Sequence, residues 1–399
     1  MDFNIKDISL LDDIGPEKII TIRNPDVGLN GILVIDNSVY GIPAGGVRLA
    51  SNITLDEIIR LGRAMSLKFC AYRLKIGGAK SGILGNPLDT EKKNILLTSF
   101  ADSISTFVKN DFYYPGPDMG TDDDDLLKMF RVMGVPNLAP NKIGLFKHDI
   151  PVEELFTGYG VIYCLEVLYN NLSKLTGESR DKSKQPKVIM EGFGKVGTAL
   201  AMSLNELGFK LTGVSTINGA IYDEDGLDVS KLLRLKLTHG DDLVNHYDSK
   251  NLVKVSKERL FELSSEYPTD FIIPGARPDV INSTNVDKID TIAIIPAANI
   301  PYEKGITDAL KEKKIIAFPD FVANAGEVLA VLVNKVAKNA EEIFEFIQTK
   351  ISEKTFEVIS ESSKLNQSPY DYAVEDALKE LRKKQKRKKN LLDKLNKRY

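Results

Sequence analysis

Cysteine is nearly absent from this 399-residue chain: Cys70 and Cys164 are the only two, and neither belongs to a CxxC pair. That excludes a disulfide scaffold and a cysteine-based zinc site, and two free thiols suit a reducing, cytoplasmic setting. Histidine is equally sparse. His148, His239 and His246 fall at no metal-ligand spacing, so no metal is expected, and His148 reads as a surface residue of the loop GLFKHDIP. No apolar run approaches the roughly 18 residues of a membrane span. The start, MDFNIKDISLLDD, has neither the basic opening nor the apolar run of a signal peptide. What remains is 43% hydrophobic and 27% charged, which excludes a disordered, collagenous or coiled-coil chain. Beyond about 250–300 residues a single core stops growing, so two domains are expected.

The net charge of −3 hides an asymmetry. Residues 379–399 hold 11 Lys/Arg against 2 Asp/Glu, a basic tail of +9 on a body of −12. Its leucines, Leu378, Leu381, Leu391, Leu392 and Leu395, are spaced as on a solvated helix, and the tail reads as an accessory. The acid run Asp122–Asp125 precedes an apolar helical pattern, where carboxylates favour the helix dipole; it reads as a helix start, not a metal site.

IITIRN and GILVIDN read as strands. Thr54-Leu55-Asp56-Glu57 is a capping box opening a helix whose apolar face recurs through Phe69. RLKIGGAKSGILGNP has too many glycines for a helix and reads as strand, turn, strand. A helix is expected over 91–109 and another near DLLKMFRVMG, stopped by Gly134. After the polar segment 174–187 the pattern becomes VIM, GFGKVG, TALAMSLNEL, KLTGVST: strand, turn, helix, strand, a βαβ unit of a parallel sheet. Strands are expected again at 270–273, 291–295 and 314–318, and helices from Glu327 onward with a break at Asn366–Pro369.

Gly192-Phe193-Gly194-Lys195-Val196-Gly197 sits at the strand-to-helix junction of that unit. Gly192 permits the turn, Gly194 clears the approach of a pyrophosphate, and Gly197 allows close helix–strand packing. The helix N-terminus then favours the anion. The carboxylate that would hold the ribose of NAD is missing where the second strand ends, at Ser215-Thr216-Ile217-Asn218. The hydroxyls of Ser215 and Thr216 suit a ribose or a 2′-phosphate, so NAD and NADP both stay open. Three polar residues stand in apolar or glycine-rich surroundings: Lys68, Lys80 within Gly77-Gly78-Ala79-Lys80, and Asp118 within Pro115-Gly116-Pro117-Asp118. A partly buried lysine and a carboxylate aimed at it would form an acid–base pair; an exposed hairpin turn is the plainer alternative for GGAK.

In order along the chain come PAGGVR (43–48), MSLKFCAYRLKIGGAKSG, GPDMGT, TGYGV (157–161), GFGKVG, PGA (274–276), PAAN (296–299) and PDFVANAGE (319–327). Together they resemble the amino-acid dehydrogenase family of glutamate, leucine, phenylalanine and valine dehydrogenases, over about residues 28–335. The resemblance implies an α/β architecture with an N-terminal substrate and oligomerisation domain over 1–150, completed by helices 331–378. It implies a Rossmann-type NAD(P) domain over 151–330, an active site between the two, and a homo-oligomer. It implies Lys80 as the lysine that polarises the substrate carbonyl, Asp118 as the proton shuttle, and Lys68 with Gly45, Gly46, Gly77 and Gly78 around the α-carboxylate. Thr157, Ala276, Ala298, Asn299 and Asn324 fall where the family lines the cofactor. Ala44 and Val331 stand where glutamate dehydrogenases carry a lysine and a serine for the side-chain carboxylate. Unpartnered burial of that carboxylate would be costly, so an apolar amino acid such as leucine, valine or isoleucine is expected, with glutamate as the alternative if Arg48 supplies the cation. Glu327 replaces the family's second glycine in NAGG. The implied reaction is reversible oxidative deamination to a 2-oxo acid and ammonium, with no membrane or nucleic-acid partner. A nucleotide-binding paralogue without catalysis is the reading of a different class.

Overall fold

The structure is a computed structural model describing residues 11–139, 143–147, 150–177, 184–333 and 336–396, the last six by backbone only. His148 lies outside the described residues. The chain divides into two units, 1–142 with 375–399, and 143–374.

In the first unit, strands β1 (Lys18–Asn24), β2 (Leu29–Asn37), β3 (Pro43–Ala50), β4 (Gly77–Leu84) and β5 (Tyr114–Pro117) form one mixed sheet in the order β1-β2-β4-β3-β5. Helices α1 (Leu55–Ala71), α2 (Thr90–Lys109) and α3 (Asp123–Val132) follow β3, β4 and β5. Alternation along the strands sorts their faces. Leu33, Ile35, Val47, Leu49, Ala79 and Ile83 join a core with Phe100 of α2 and Phe130 of α3. The intervening residues face α1, whose Gly62 lies against Val34 and Asp36. Lys80 pairs directly with Val34 and Arg48 with Gly82, so both belong to the α1 side of the sheet. The expected strand, turn, strand around GGAK is instead one strand, β4, with Lys80 inside it and only 3% exposed. The glycines that suggested a turn are there for packing: a Cβ on Gly78 would lie 2.1 Å from Ser66 Oγ, and one on Gly77 2.2 Å from Asn37 O.

The second unit begins with a ribbon, β6 (Phe146–Lys147) and β7 (Ile150–Pro151), and helix α4 (Phe156–Thr176). Its sheet holds β8 (Lys187–Met190), β9 (Lys210–Thr216), β10 (Gly219–Tyr222), β11 (Val253–Val255), β12 (Phe271–Ile273), β13 (Ala293–Ile294) and β14 (Ile316–Ala317). The order is β11-β10-β9-β8-β12-β13-β14, parallel from β9 to β14 with β10 and β11 antiparallel at one edge. Helices α5 (Lys195–Glu206), α6 (Val229–His239), α7 (Leu243–His246), α8 (Ile306–Glu312), α9 (Asp320–Ala323), α10 (Gly326–Val333), α11 (Ala340–Leu365) and α12 (Pro369–Asn396) complete the chain. The chain leaves β8 for β9 on one side and returns to β12 on the other, the switch point at which such sheets bind dinucleotides.

The carboxy-terminal helices divide differently from the expectation. Residues 340–365 do not complete the first unit: α11 packs on α4, with the Phe344 ring tilted against Tyr159 at 4.7 Å and against Phe156 at 5.7 Å. The first unit takes only the chain from Glu375. The basic tail is not wholly solvated either, for its Leu381 on α12 is buried. Arg382 pairs with Asp13, Gln385 donates to Ile14 O, and Cys70 Sγ donates to Ala377 O. Among the described residues no helix is long and apolar enough to cross a membrane, and no group of His, Cys, Asp and Glu could hold a metal.

Candidate functional site

Lys80 and Asp118, 38 positions apart in the chain, meet in the first unit. Lys80 Nζ lies 2.8 Å from Asp118 Oδ2. Lys80 reaches that point because β4 carries it on the α1 face. Asp118 reaches it because β5 ends there, in a turn closed by the Asp118 N–H donating to Thr121 Oγ1, which itself donates to Val47 O. Gly46 is required beneath: its Cβ would fall 2.7 Å from Asp118 Cβ. Gly45 likewise leaves no room, since a Cβ there would be 1.7 Å from Ala79 O. Ser81 Oγ donates to Tyr113 OH, which donates to Gly45 O, fastening β4, β5 and β3 beside the pair.

Lys68 sits in the last turn of α1, 6% exposed. Ser66, two residues before it, abuts Gly78, two residues before Lys80, so the last turns of α1 lie against β4. Ala44 pairs with Gly78 on one side and Tyr114 on the other. Sequence reasoning did not place two residues of this cluster. Arg48 Nε donates to Asp118 Oδ2 at 3.0 Å, and its NH1 donates to Glu57. Thr54 caps α1 as predicted, accepting from Glu57 N, but the Glu57 carboxylate serves Arg48. Arg48 is therefore committed to two carboxylates and does not stand free as a cation for a substrate side chain. Burial would raise the Asp118 carboxyl, but the Lys80 ammonium and the Arg48 guanidinium outweigh it and hold the group well below the usual carboxylate range.

In the second unit the predicted phosphate turn follows β8. Gly192 has φ +87°, and a Cβ on Gly197 would lie 2.1 Å from Gly192 O, so helix α5 starts tight against the strand. A Cβ on Gly194 would meet nothing within 4 Å, and Gly194 opens α5 with no side-chain cap. Open space over uncapped N–H groups is a cradle that fits a pyrophosphate. Phe193 is buried and offers backbone only, Val196 is half-buried, and Lys195 turns outward to Glu154. Gly158, next to Thr157, packs on Val196 O and Ala199, while Gly326 fits under Phe156 O, where a Cβ would be 1.9 Å away. Thr157 thus stands between the phosphate turn and the NAGE segment. Glu327 is exposed in its unit.

The loops after β12, β13 and β14 complete the rim. Ala276 N donates to the buried Glu191 carboxylate, which also binds Arg277. Asn324 Nδ2 donates to Ala297 O, Ala298 O and Asn299 Oδ1, binding one loop to the next. Two predicted cofactor residues, Ser215 and Thr216, have hydrogen-bond partners within the protein. Ser215 Oγ accepts from Gly192 N, and Thr216 Oγ1 donates to Asp241 O while accepting from Asn218 N. Both hydroxyls hold the protein together at the end of β9. Val331 belongs to this unit, on α10, and is 57% exposed there.

Residues 16–133 match the family Glu/Leu/Phe/Val dehydrogenase, dimerisation domain, and residues 150–388 match Glutamate/Leucine/Phenylalanine/Valine dehydrogenase. The NADP-specific glutamate dehydrogenase of Saccharolobus shibatae is 32% identical over 336 residues, 80% of this chain and 75% of that one. The NAD-specific glutamate dehydrogenase of Staphylococcus aureus is 28% identical over 82% of this chain and 78% of its own. Among solved structures, the hetero-hexameric glutamate dehydrogenase from Thermus thermophilus in its Leu-bound form superposes with a TM-score of 0.77 at 22% identity, covering 92% of this chain and 89% of that one. Both halves of the chain match, in order, and the motifs that carry the lysine–aspartate pair and the phosphate turn fall inside the matched spans: the chain belongs to the glutamate, leucine, phenylalanine and valine dehydrogenase family.

Proposed function

We propose that the chain catalyses the reversible NAD(P)-dependent oxidative deamination of an L-amino acid to its 2-oxo acid and ammonium, with glutamate as the amino acid. The observation that carries the reaction is the 2.8 Å contact between Lys80 Nζ and Asp118 Oδ2, a cation and a carboxylate at proton-transfer distance on a buried strand and a fastened turn. Lys68 holds the substrate α-carboxylate. Asp118 takes a proton from the substrate ammonium and returns it to the departing nitrogen. Lys80 polarises the carbonyl of the 2-oxo acid and assists the water that forms it. When bound, the nicotinamide accepts the α-hydrogen as hydride. The 192–197 turn holds the pyrophosphate, with Thr157, Ala276, Ala298, Asn299 and Asn324 around the rest of the cofactor. No carboxylate ends β9, so both NAD and NADP belong in the test.

Glutamate is supported by the two curated relatives, both glutamate dehydrogenases. Assembly of like subunits through the first unit is supported by the description of its family as a dimerisation domain. A second reading rests on three residues: Ala44 and Val331 offer a γ-carboxylate neither cation nor hydroxyl, and Arg48 is committed to Glu57 and Asp118. These favour an apolar side chain such as that of leucine or valine.

One panel tests both: each amino acid with NAD+ and with NADP+, following reduced nicotinamide. Turnover that depends on an amino acid is expected, and none with any amino acid would overturn the reaction. A kcat/KM for glutamate above that for leucine supports the first reading; the reverse order establishes the second. If leucine leads, Ala44→Lys should move the ratio toward glutamate by about tenfold or more.

A further inference from the structure

We propose that Arg48 is a positioning residue for proton transfer at Asp118: with Lys80 it ties down Oδ2 and leaves Oδ1 as the oxygen that meets the substrate nitrogen. The inference rests on the reading of Lys80 and Asp118 as the acid–base pair. Arg48 Nε and Lys80 Nζ lie 3.0 and 2.8 Å from the same oxygen, Asp118 Oδ2. Among the described residues no donor is placed on Oδ1, and the Asp118 side chain keeps 14% of its surface open. The guanidinium is itself fixed, gripped at NH1 by Glu57 in the capped first turn of α1.

One oxygen with two cations is more than charge neutrality requires. Lys80 must leave Oδ2 to engage the substrate carbonyl, and an ammonium on a flexible stem can move. The planar guanidinium, pinned between two carboxylates, stays. It then holds the carboxylate plane and its charge through the turnover. In the oxidative direction Oδ1 accepts a proton from the substrate ammonium, leaving an amine and a carboxylic acid. The α C–H bond breaks with its electron pair passing to the nicotinamide, and the amine becomes an iminium. Water adds to that carbon and gives a proton to Lys80, which has first released one to solvent, leaving a carbinolamine. As the C–N bond then breaks, Oδ1 returns its proton to the nitrogen and the hydroxyl proton passes to the departing ammonia, giving the 2-oxo acid and ammonium; Asp118 ends as it began and Lys80 ends as the ammonium.

The test uses full-length Arg48→Gln, Arg48→Lys and Glu57→Gln, with kcat and KM for amino-acid oxidation measured against pH, and with melting temperature and reduced-cofactor Kd recorded alongside. Loss of the guanidinium should move the acid limb of kcat/KM upward by about one pH unit or more and lower kcat about 10- to 100-fold, with cofactor Kd unchanged. Arg48→Lys should restore part of both. An active wild type whose Arg48→Gln variant keeps the limb and the kcat overturns the proposal; so does a lower kcat with an unmoved limb and no rescue by lysine. If Arg48→Gln does not fold, Glu57→Gln decides: a smaller shift in the same direction supports the role, and an unmoved limb overturns it. A wild type inert with every amino acid overturns the parent reading, and this one with it.

Discussion

The Asp118 carboxylate is held by two cations, Lys80 and Arg48. In the free protein Asp118 therefore stays ionised throughout the neutral range, and in the proposed reaction the substrate has to change its surroundings before it can carry a proton. Its depressed folded-state value has a consequence for stability. A group lowered on folding stabilises the native state above its unfolded value, about 4, and that contribution drains away as pH falls through the folded value. Asp118→Asn should therefore lose stability at neutral pH and show a flatter acid limb of melting temperature against pH. An acid limb as steep as that of wild type would contradict the assignment. Lys80→Ala should lower kcat by about 10²- to 10⁴-fold while the Kd for reduced cofactor, whose turn lies in the other unit, stays within twofold of wild type (~0.4 kcal/mol). The pairing of Lys80 with Asp118 was legible in the sequence because each is a charge in glycine-rich company, and the structure brings them within 2.8 Å. Arg48 and Glu57 were not, because nothing local says that a guanidinium on β3 finds its partner 70 residues downstream. The partners of the Ser215 and Thr216 hydroxyls, Gly192 N and Asp241 O, were hidden for the same reason: they are more than 20 positions away.

Among elements, the phosphate turn was readable because strand, glycines and helix are contiguous, whereas β4 was misread because two glycines look alike whether they turn a chain or admit a neighbour. The backbone separates those uses, and mutation can as well. Gly194→Ala places its methyl in open space, so the fold should be kept within a degree or two of melting temperature by the ~0.5 kcal/mol scale of surface changes. The Kd for reduced cofactor should nevertheless rise about tenfold, because that space is where the pyrophosphate is to lie. Gly326→Ala should do the opposite: a Cβ 1.9 Å from Phe156 O forces α10 away from α4 and should lower the melting temperature outright. Equal effects of the two substitutions on melting would argue against the cradle.

For the whole molecule, the basic tail changes from accessory to part of the first unit. Its charge suggested solvent, and most of its described lysines and arginines do face out, but Leu381, one helical turn beyond the buried Ala377, is buried. A chain ending at Leu378 loses Leu381, the Arg382–Asp13 pair and the Gln385 bond to Ile14 O. Removing one buried leucine alone costs about 2–5 kcal/mol, so truncation should lower the melting temperature of the first unit. Activity at low temperature should survive, and an unchanged melting curve would return the tail to solvent.

The first unit is closed by residues from both ends of the chain, with the whole dinucleotide unit threaded between them. During synthesis the second unit has its full sequence, through Val374, before the first has its own. The early stretch therefore cannot cover Cys70 with Ala377 until α12 has been made, so the unit that carries Lys80 and Asp118 depends for its completion on a segment that follows the whole second unit in sequence.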